Sequence, residues 1–283
     1  MEKHLIVLDL DGTLLTDEKV ISPRTKETLR KAKEAGHEIM IATGRPFRAT
    51  GMYYKELGLT TPVVNFNGAY VHHPLSSSWQ TRHEPINLKV VKEVVDAVED
   101  YEAKNLLAEV LDDVYLHQHD EKIMNAFAWG DPKFTTGDLR KYLTQDPTSM
   151  LIHAEEHHVE SIRKHLRDVH AEVIDHRRWG APWHVIEIVK SGLNKAVGIQ
   201  PVAEHLNIPK SRIIAFGDED NDLEMIEYAG TGVAMGNAIN PLKSIANEII
   251  GTNNEDGIGI YLEERLSLKL HVYEEEYNEN LRG

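Results

Sequence analysis

Residues 3–18 read KHLIVLDLDGTLLTDE. Leu5, Ile6, Val7 and Leu8 form an unbroken apolar run, which marks a strand buried on both faces. Such strands belong to parallel sheets covered by helices. The run then stops at Asp9 and Asp11, with Leu10 between them and Gly12 behind. In an open α/β sheet, ligands bind beyond the carboxyl ends of the strands, so two carboxylates at this end predict a site.

The same pattern recurs outward from this stretch. SPRTKETLRKAKEAG (22–36) predicts a helix, with Ser22 as N-cap, Pro23 in the first turn and Gly36 as the stop. HEIMIATGR (37–45) is a second apolar run that ends in Thr43, Gly44 and Arg45. TPVVNFNGAY (61–70) is a third, ending near Asn67 and Gly68, and SRIIAFGDEDND (211–222) repeats the design with Gly217 and Asp218. Strands alternating with helices predict an α/β fold with a Rossmann-like parallel sheet core. In GLNKAVGIQPVAEHLNIP (192–209) the helix is expected to kink or restart at Pro201, which lacks an amide donor.

The middle of the chain reads differently. NLKVVKEVVDAVEDYE (87–102) places Val91, Val94, Val95 and Val98 on one helical face, and NLLAEVLDDVYLHQ (105–118) reads as a hairpin turning at Asp112 and Asp113. A strand at 148–155 follows, then a helix carrying Val159, Ile162, Leu166 and Val169 on one side, then two more strands up to residue 190. This is an α+β unit inserted into the parallel one. Residues 1–82 and 190–283 are assigned to the core and 83–189 to the insert. The acidic tail, 271–283, receives no function.

Composition narrows the class. The 283 residues carry a formal charge of −15, which opposes binding to nucleic acid or anionic lipid, and no basic patch offsets it. No apolar run approaches the roughly 20 residues of a transmembrane helix, and the first is cut at Asp9 before it could serve as a signal peptide. The expected setting is the cytoplasm. With no cysteine, any metal must use oxygen or imidazole ligands. The sequence carries no signal of oligomeric state.

If the strand ends converge, Asp9, Asp11 and Asp218 repel one another, and a hard divalent cation such as Mg²⁺ relieves that repulsion. A cation there attracts phosphate, to which Thr43 offers a hydroxyl, the chain at Gly44 its amides and Lys195 a compact charge. Of two carboxylates two residues apart, one can attack phosphorus while the other exchanges protons with the leaving group and with water. Asp9 suits attack, and Asp11, freed by Gly12, suits acid and base work.

Together DLDGT, ATGR, the lysine of GLNKAVGI and GDEDND resemble the four motifs of the haloacid dehalogenase-like phosphohydrolases, in order and over nearly the whole chain. The large insert between the second and third motifs resembles the cap of the Cof-type branch. The resemblance implies a Mg²⁺-dependent phosphatase of small phosphorylated metabolites, such as sugar phosphates or a riboflavin precursor, working through an aspartyl-phosphate. It implies Asp9 as nucleophile and Asp11 as acid and base, with Asp9, Asp11 and Asp218 at the metal. It further implies Leu10 (through its carbonyl region), Thr43, Gly44, Lys195 and Asn221 near phosphate, and Asp222 as the acid that orients Lys195. Glu219 stands where some relatives place a small residue, which leaves its role open. Arg45 and Asn67 are placed behind these groups.

Other patterns point elsewhere more weakly. HAEEH (153–157) has an inverted zinc-protease spacing, but it follows a strand instead of lying within a helix. GTGVAMG (230–236) lacks dinucleotide-binding spacing. WGAPWH (179–184) reads as packing or as a substrate-contacting loop. Phosphomutase transfer and a non-catalytic phosphate sensor remain alternatives. A sensor has little need of so large a cap or of Asp11, and product analysis separates all three.

Overall fold

Alternating apolar runs and capped helices fold as a parallel core interrupted by a second sheet. The computed structural model describes residues 2–101, 103–170, 174–178 (as backbone) and 184–268. In the first part of the core, β1 (Leu5–Leu8) leads through α1 (Pro23–Glu34) to β2 (Glu38–Ile41). Helix α2 (Gly51–Glu56), β3 (Val63–Asn65), β4 (Tyr70–His72) and β5 (Arg82–His83) follow. The expected start of α1 is present: Ser22 accepts from the Thr25 amide and Pro23 occupies the first turn.

The insert runs through α3 (Leu88–Glu99), β6 (Asn105–Val110), β7 (Asp113–Leu116), α4 (Glu121–Ala126), β8 (Phe134–Thr136) and α5 (Leu139–Tyr142). It ends with β9 (Ser149–His153), α6 (Glu156–His170), β10 (Ile174–Arg178) and β11 (Val185–Lys190). The chain then returns to the core as α7 (Lys195–His205), β12 (Ile213–Gly217), α8 (Leu223–Tyr228), β13 (Thr231–Ala234), α9 (Asn240–Ile245), β14 (Glu248–Ile249) and α10 (Gly257–Arg265).

The core sheet is parallel throughout, in the order β14-β13-β12-β1-β2. All four residues of β1 are fully buried, as its apolar run predicts. Complete burial of one such side chain contributes roughly 1.5–3 kcal/mol. The chain leaves β1 toward β2 on one side and comes back, after the insert, to β12 on the other. The carboxyl end of β1 is therefore the topological switch point, where neighbouring connections diverge and leave a crevice. Asp9 stands at that point.

The third core run departs from expectation. Beyond an isolated parallel bridge between Ala42 and Val64, β3 pairs antiparallel with β4, and β4 with β5, as a separate small sheet. The reversal follows from Phe66 and Asn67, whose left-handed backbones (φ 50° and 52°) turn the chain back on itself. Helix α7 runs unbroken through Pro201. A proline inside a helix removes one amide donor, and here the single loss is absorbed without ending the helix.

The insert is a six-stranded sheet in the order β10-β11-β9-β6-β7-β8. The valine stripe of α3 and Val159, Ile162 and Leu166 of α6 pack on one sheet face, against Leu106, Ala108, Ile152, Ile186 and Ile188. At the end of α6 the buried residue is His170, while Val169 is 60% exposed, which reverses the expected assignment there. The opposite face carries Leu107, Glu109, Val185 and Glu187 and looks toward the core. Arg48, on the loop between β2 and α2, reaches into this face and meets Glu109 at 2.6 Å, both side chains almost fully buried. Trp179, Trp183 and the acidic tail lie outside the described residues.

Candidate active site

Three core strands end in one crevice, and each brings a motif to it. Asp9 follows β1, Thr43 and Gly44 follow β2, and Asp218 follows β12. Lys195 opens α7, whose N-cap Asn194 accepts from the Val197 amide and so fixes the direction in which the helix begins. From there the fully buried lysine donates to Asp9 Oδ1 and to Asp222 Oδ1, each at 2.7 Å. Burial pulls its pKa down, but the Asp222 and Asp9 carboxylates overrule that and push it up.

The acidic groups occupy unequal positions. Asp222 is locked: besides Lys195, it accepts from the Asp218 amide at 3.0 Å and the Glu219 amide at 3.2 Å. Asp218 accepts from the Thr13 hydroxyl at 2.6 Å. Burial drives the Asp218 carboxyl up to about 7 against the pull of Thr13, with Asp222 adding to the rise. Asp9 is raised well above the usual carboxylate range by burial, with Lys195 opposing and Asp222 and Asp218 reinforcing. Oxygens of Asp9, Asp218 and Asp222 lie within 4.8 Å of one another. A set of hard oxygen donors that burial has left short of positive charge fits a divalent cation. Asp222 is already engaged by three donors, so at such a site it would act as a buttress, with Asp9 and Asp218 at the border.

Asp11 does not join this group. Arg45 grips it with two 2.6 Å bonds and Lys19 with a third at 2.9 Å. Burial favours its neutral form, but Arg45 and then Lys19 outweigh that and hold the carboxyl at about 2. Leu10 turns its side chain into the core, and its carbonyl accepts from the Thr13 and Leu15 amides. Thr43 is buried, its hydroxyl accepting from the Arg45 amide at 3.2 Å. Glu219 lines the crevice and accepts from the Asp220 amide, closing the turn that carries Asn221. Asn221 donates to Asn67 Oδ1 at 3.0 Å.

Gly12 shows how tightly the loop is built. Its φ of +72° is left-handed, and a Cβ there would lie 2.2 Å from Asp218 Oδ2. Gly12→Ala is therefore expected to push Asp218 out of place and to reduce turnover about 100-fold, the scale of an ångström's misplacement. Steady-state kinetics beside a thermal melt would separate this loss from unfolding.

Above the carboxylates lies a cavity of about 600 Å³. Its core wall includes Asp9, Asp11, Thr43, Gly44 and Asn221, and its cap wall Leu107, Glu109, Phe127, His153, Val185 and Glu187. These cap residues were not assigned from sequence. The one available signal was an acidic residue, Glu109 or Glu187, inside an otherwise apolar strand. The histidines of HAEEH do not form a metal cluster among the described residues.

Comparisons with known proteins agree with this geometry. The sequence profile of the haloacid dehalogenase-like hydrolases matches residues 6–262. The chain is 58% identical over 265 residues to 5-amino-6-(5-phospho-D-ribitylamino)uracil phosphatase YitU of Bacillus subtilis (strain 168), covering 94% of this chain and 98% of that one. It is 29% identical to pyridoxal phosphate phosphatase YbhA of Escherichia coli (strain K12), with 93% and 98% covered. The crystal structure of a haloacid dehalogenase-like hydrolase from Bacteroides thetaiotaomicron superposes with a TM-score of 0.80 at 26% identity, over 93% of this chain and all of that one.

Proposed function

Because this chain belongs to the haloacid dehalogenase-like hydrolases and is a hydrolase of phosphoric monoesters, we propose that it is a Mg²⁺-dependent phosphatase that carries the phosphoryl group on Asp9. Its substrate on this reading is a flavin precursor of the phosphoribitylamino-uracil type. The observation that carries the reading is Asp9 at the switch point, bonded to a buried lysine and facing a cavity closed on its far side by the cap.

The chemistry follows from the groups present. An oxygen of Asp9 attacks phosphorus as the ester P–O bond breaks, and Asp11 gives its proton to the departing alkoxide. Water then attacks phosphorus and loses a proton to Asp11, the bond to Asp9 breaks, and inorganic phosphate leaves. With Asp9 and Asp218 at its border, Mg²⁺ supplies positive charge that offsets repulsion between the carboxylate and a dianionic substrate. In the arrangement described, Asp11 is an ion held by Arg45 and Lys19. The first step requires it to leave them and take up a proton, and the incoming phosphate dianion favours that change.

The cap wall suits a phosphate joined to a polar chain and a flat ring. Leu107, Phe127 and Val185 offer apolar surface, while His153 and the Glu109 and Glu187 carboxylates, held by Arg48 and Asn67, add polar groups to the lining. The relative at 58% identity is named for such a compound, which supports the same assignment here. Phosphate release would be measured across that compound, pyridoxal phosphate, hexose phosphates and nucleotides, with and without chelator. The expected result is the highest kcat/KM on the ribitylamino-uracil phosphate, the free alcohol as product, and activity that EDTA removes and Mg²⁺ restores. Indifference to chelation, or an isomeric phosphate as product, would sink the proposal.

A pH dependence accompanies the metal. Between the ordinary value of 3.8 and about 7, Asp218 is neutral in the metal-free fold but ionised in the unfolded chain. Metal-free stability due to this group is therefore present at low pH and lost as pH rises through that window. Mg²⁺ favours the ionised form, so its stabilising effect in thermal melts should be larger at pH 8 than at pH 5. An equal effect at both would contradict the assignment.

A further inference from the structure

Asn67 is engaged on every side that the core and the cap present to it. Its Nδ2 donates to Glu187 Oε2 at 3.2 Å, its Oδ1 accepts from Asn221 Nδ2 at 3.0 Å, and its backbone amide donates to the Thr43 carbonyl at 3.1 Å. Gly44 lies so close that a Cβ there would stand 3.2 Å from Asn67 Nδ2. The residue is 1% exposed, with φ 52° and ψ 33°. Non-glycine residues in that region are strained and persist only where their surroundings over-determine them. Here two stand in succession, Phe66 and Asn67.

The partners define a direction. Glu187 lies on cap strand β11 and is nearly buried, on the sheet face that carries the cavity wall. Glu187 Oε2 accepts from Asn67 Nδ2, so the NH₂ end of the Asn67 amide faces the cap. The oxygen end must then point at Asn221, whose own NH₂ turns to meet it. We infer that Asn67 is a positioning residue, the middle of a relay in which cap carboxylate Glu187 fixes the amide orientation of Asn221 beside the Thr43–Gly44 turn, against which the Asn67 amide packs. The relay makes the catalytic core fully assembled only when the cap is in place. This inference rests on the phosphatase reading above.

Reversing the polarity of the relay tests it. Asn67→Gly keeps a left-handed backbone at no steric cost but removes both side-chain bonds. It should lower kcat roughly 10- to 100-fold, the effect of losing a hydrogen bond to a charged partner, with KM changing less than kcat. Asn67→Asp sets two carboxylates face to face and should lose activity and thermal stability together. Adding Glu187→Gln restores a donor and the original net charge, and the double variant should recover most of both losses. A residue that merely filled space would show neither the kcat effect of Asn67→Gly nor the recovery. The inference is overturned if Asn67→Gly keeps wild-type kcat, or if the double variant is no better than Asn67→Asp. Should the unaltered protein release no phosphate from any ester, the phosphatase reading fails. The recovery of melting temperature then decides the Glu187–Asn67 link by itself: its presence supports the link, and its absence overturns it.

Discussion

Replacing Asp9 by asparagine is expected to lower turnover by at least about 10⁴-fold, the scale on which loss of a covalent nucleophile falls. The substitution is isosteric, and its side-chain oxygen can still accept from Lys195, which donates to Asp9 at 2.7 Å. The fold should therefore survive, and an unchanged melting temperature would assign the loss to chemistry. Asp11→Asn makes an instructive contrast. An amide can supply neither the acid of the first step nor the base of the second. With a reactive phosphomonoester, whose leaving group needs no proton, that variant should form phosphoenzyme and release it slowly, whereas Asp9→Asn should form none. Asp9→Asn retaining most of the Mg²⁺-dependent activity would show that some other group attacks phosphorus.

Lys195→Met should be the most damaging change to both stability and activity. The lysine is fully buried between Asp9 and Asp222, and its removal leaves two carboxylates facing each other without a cation. Breaking a buried ion pair from one side costs about 3–5 kcal/mol. The deficit should depend on pH in a defined sense. Without the lysine, nothing offsets the burial that already raises the Asp9 carboxyl, so its protonation becomes the remedy and acid relieves the strain. Thermal melts of the variant and the parent should converge as pH falls from 8 to 5. Activity should not return at low pH, because a protonated Asp9 cannot attack. A uniform deficit across that range would indicate that lost packing, not unpaired charge, dominates.

The sequence made the core legible because two independent signals coincided there. Apolar runs marked the strands, and the residues after Leu8, Ile41 and Gly217 marked their carboxyl ends, which an open parallel sheet gathers at one edge. Lys195 was readable from the likeness of GLNKAVGI to the third motif, whereas its cap, Asn194, emerged only in the structure. Asp11 shows the limit of that reasoning. Its partner Arg45 lies on another loop and Lys19 eight residues along its own, and such pairings leave no periodic trace. The cap wall was hidden for a related reason: both faces of its sheet are covered, one by helices and one by the core, so apolar alternation does not say which face looks inward. Glu109 and Glu187 break the apolar pattern but do not reveal their partners, Arg48 and Asn67, both far away in sequence. At the end of α6, a helical face drawn at fixed spacing selected Val169, and the last turn rotated His170 into the core instead.

All of these expectations depend on a phosphoryl group passing through one side chain. Acid quenching of a single turnover by the Asp11→Asn variant, with Mg²⁺ and a reactive phosphomonoester, followed by peptide mass mapping, observes that step directly. The account predicts a phosphoryl group on the peptide containing Asp9, absent when Asp9→Asn is introduced as well. Product formed by the parent enzyme with no such adduct in the variant, or an adduct on another residue, would contradict it.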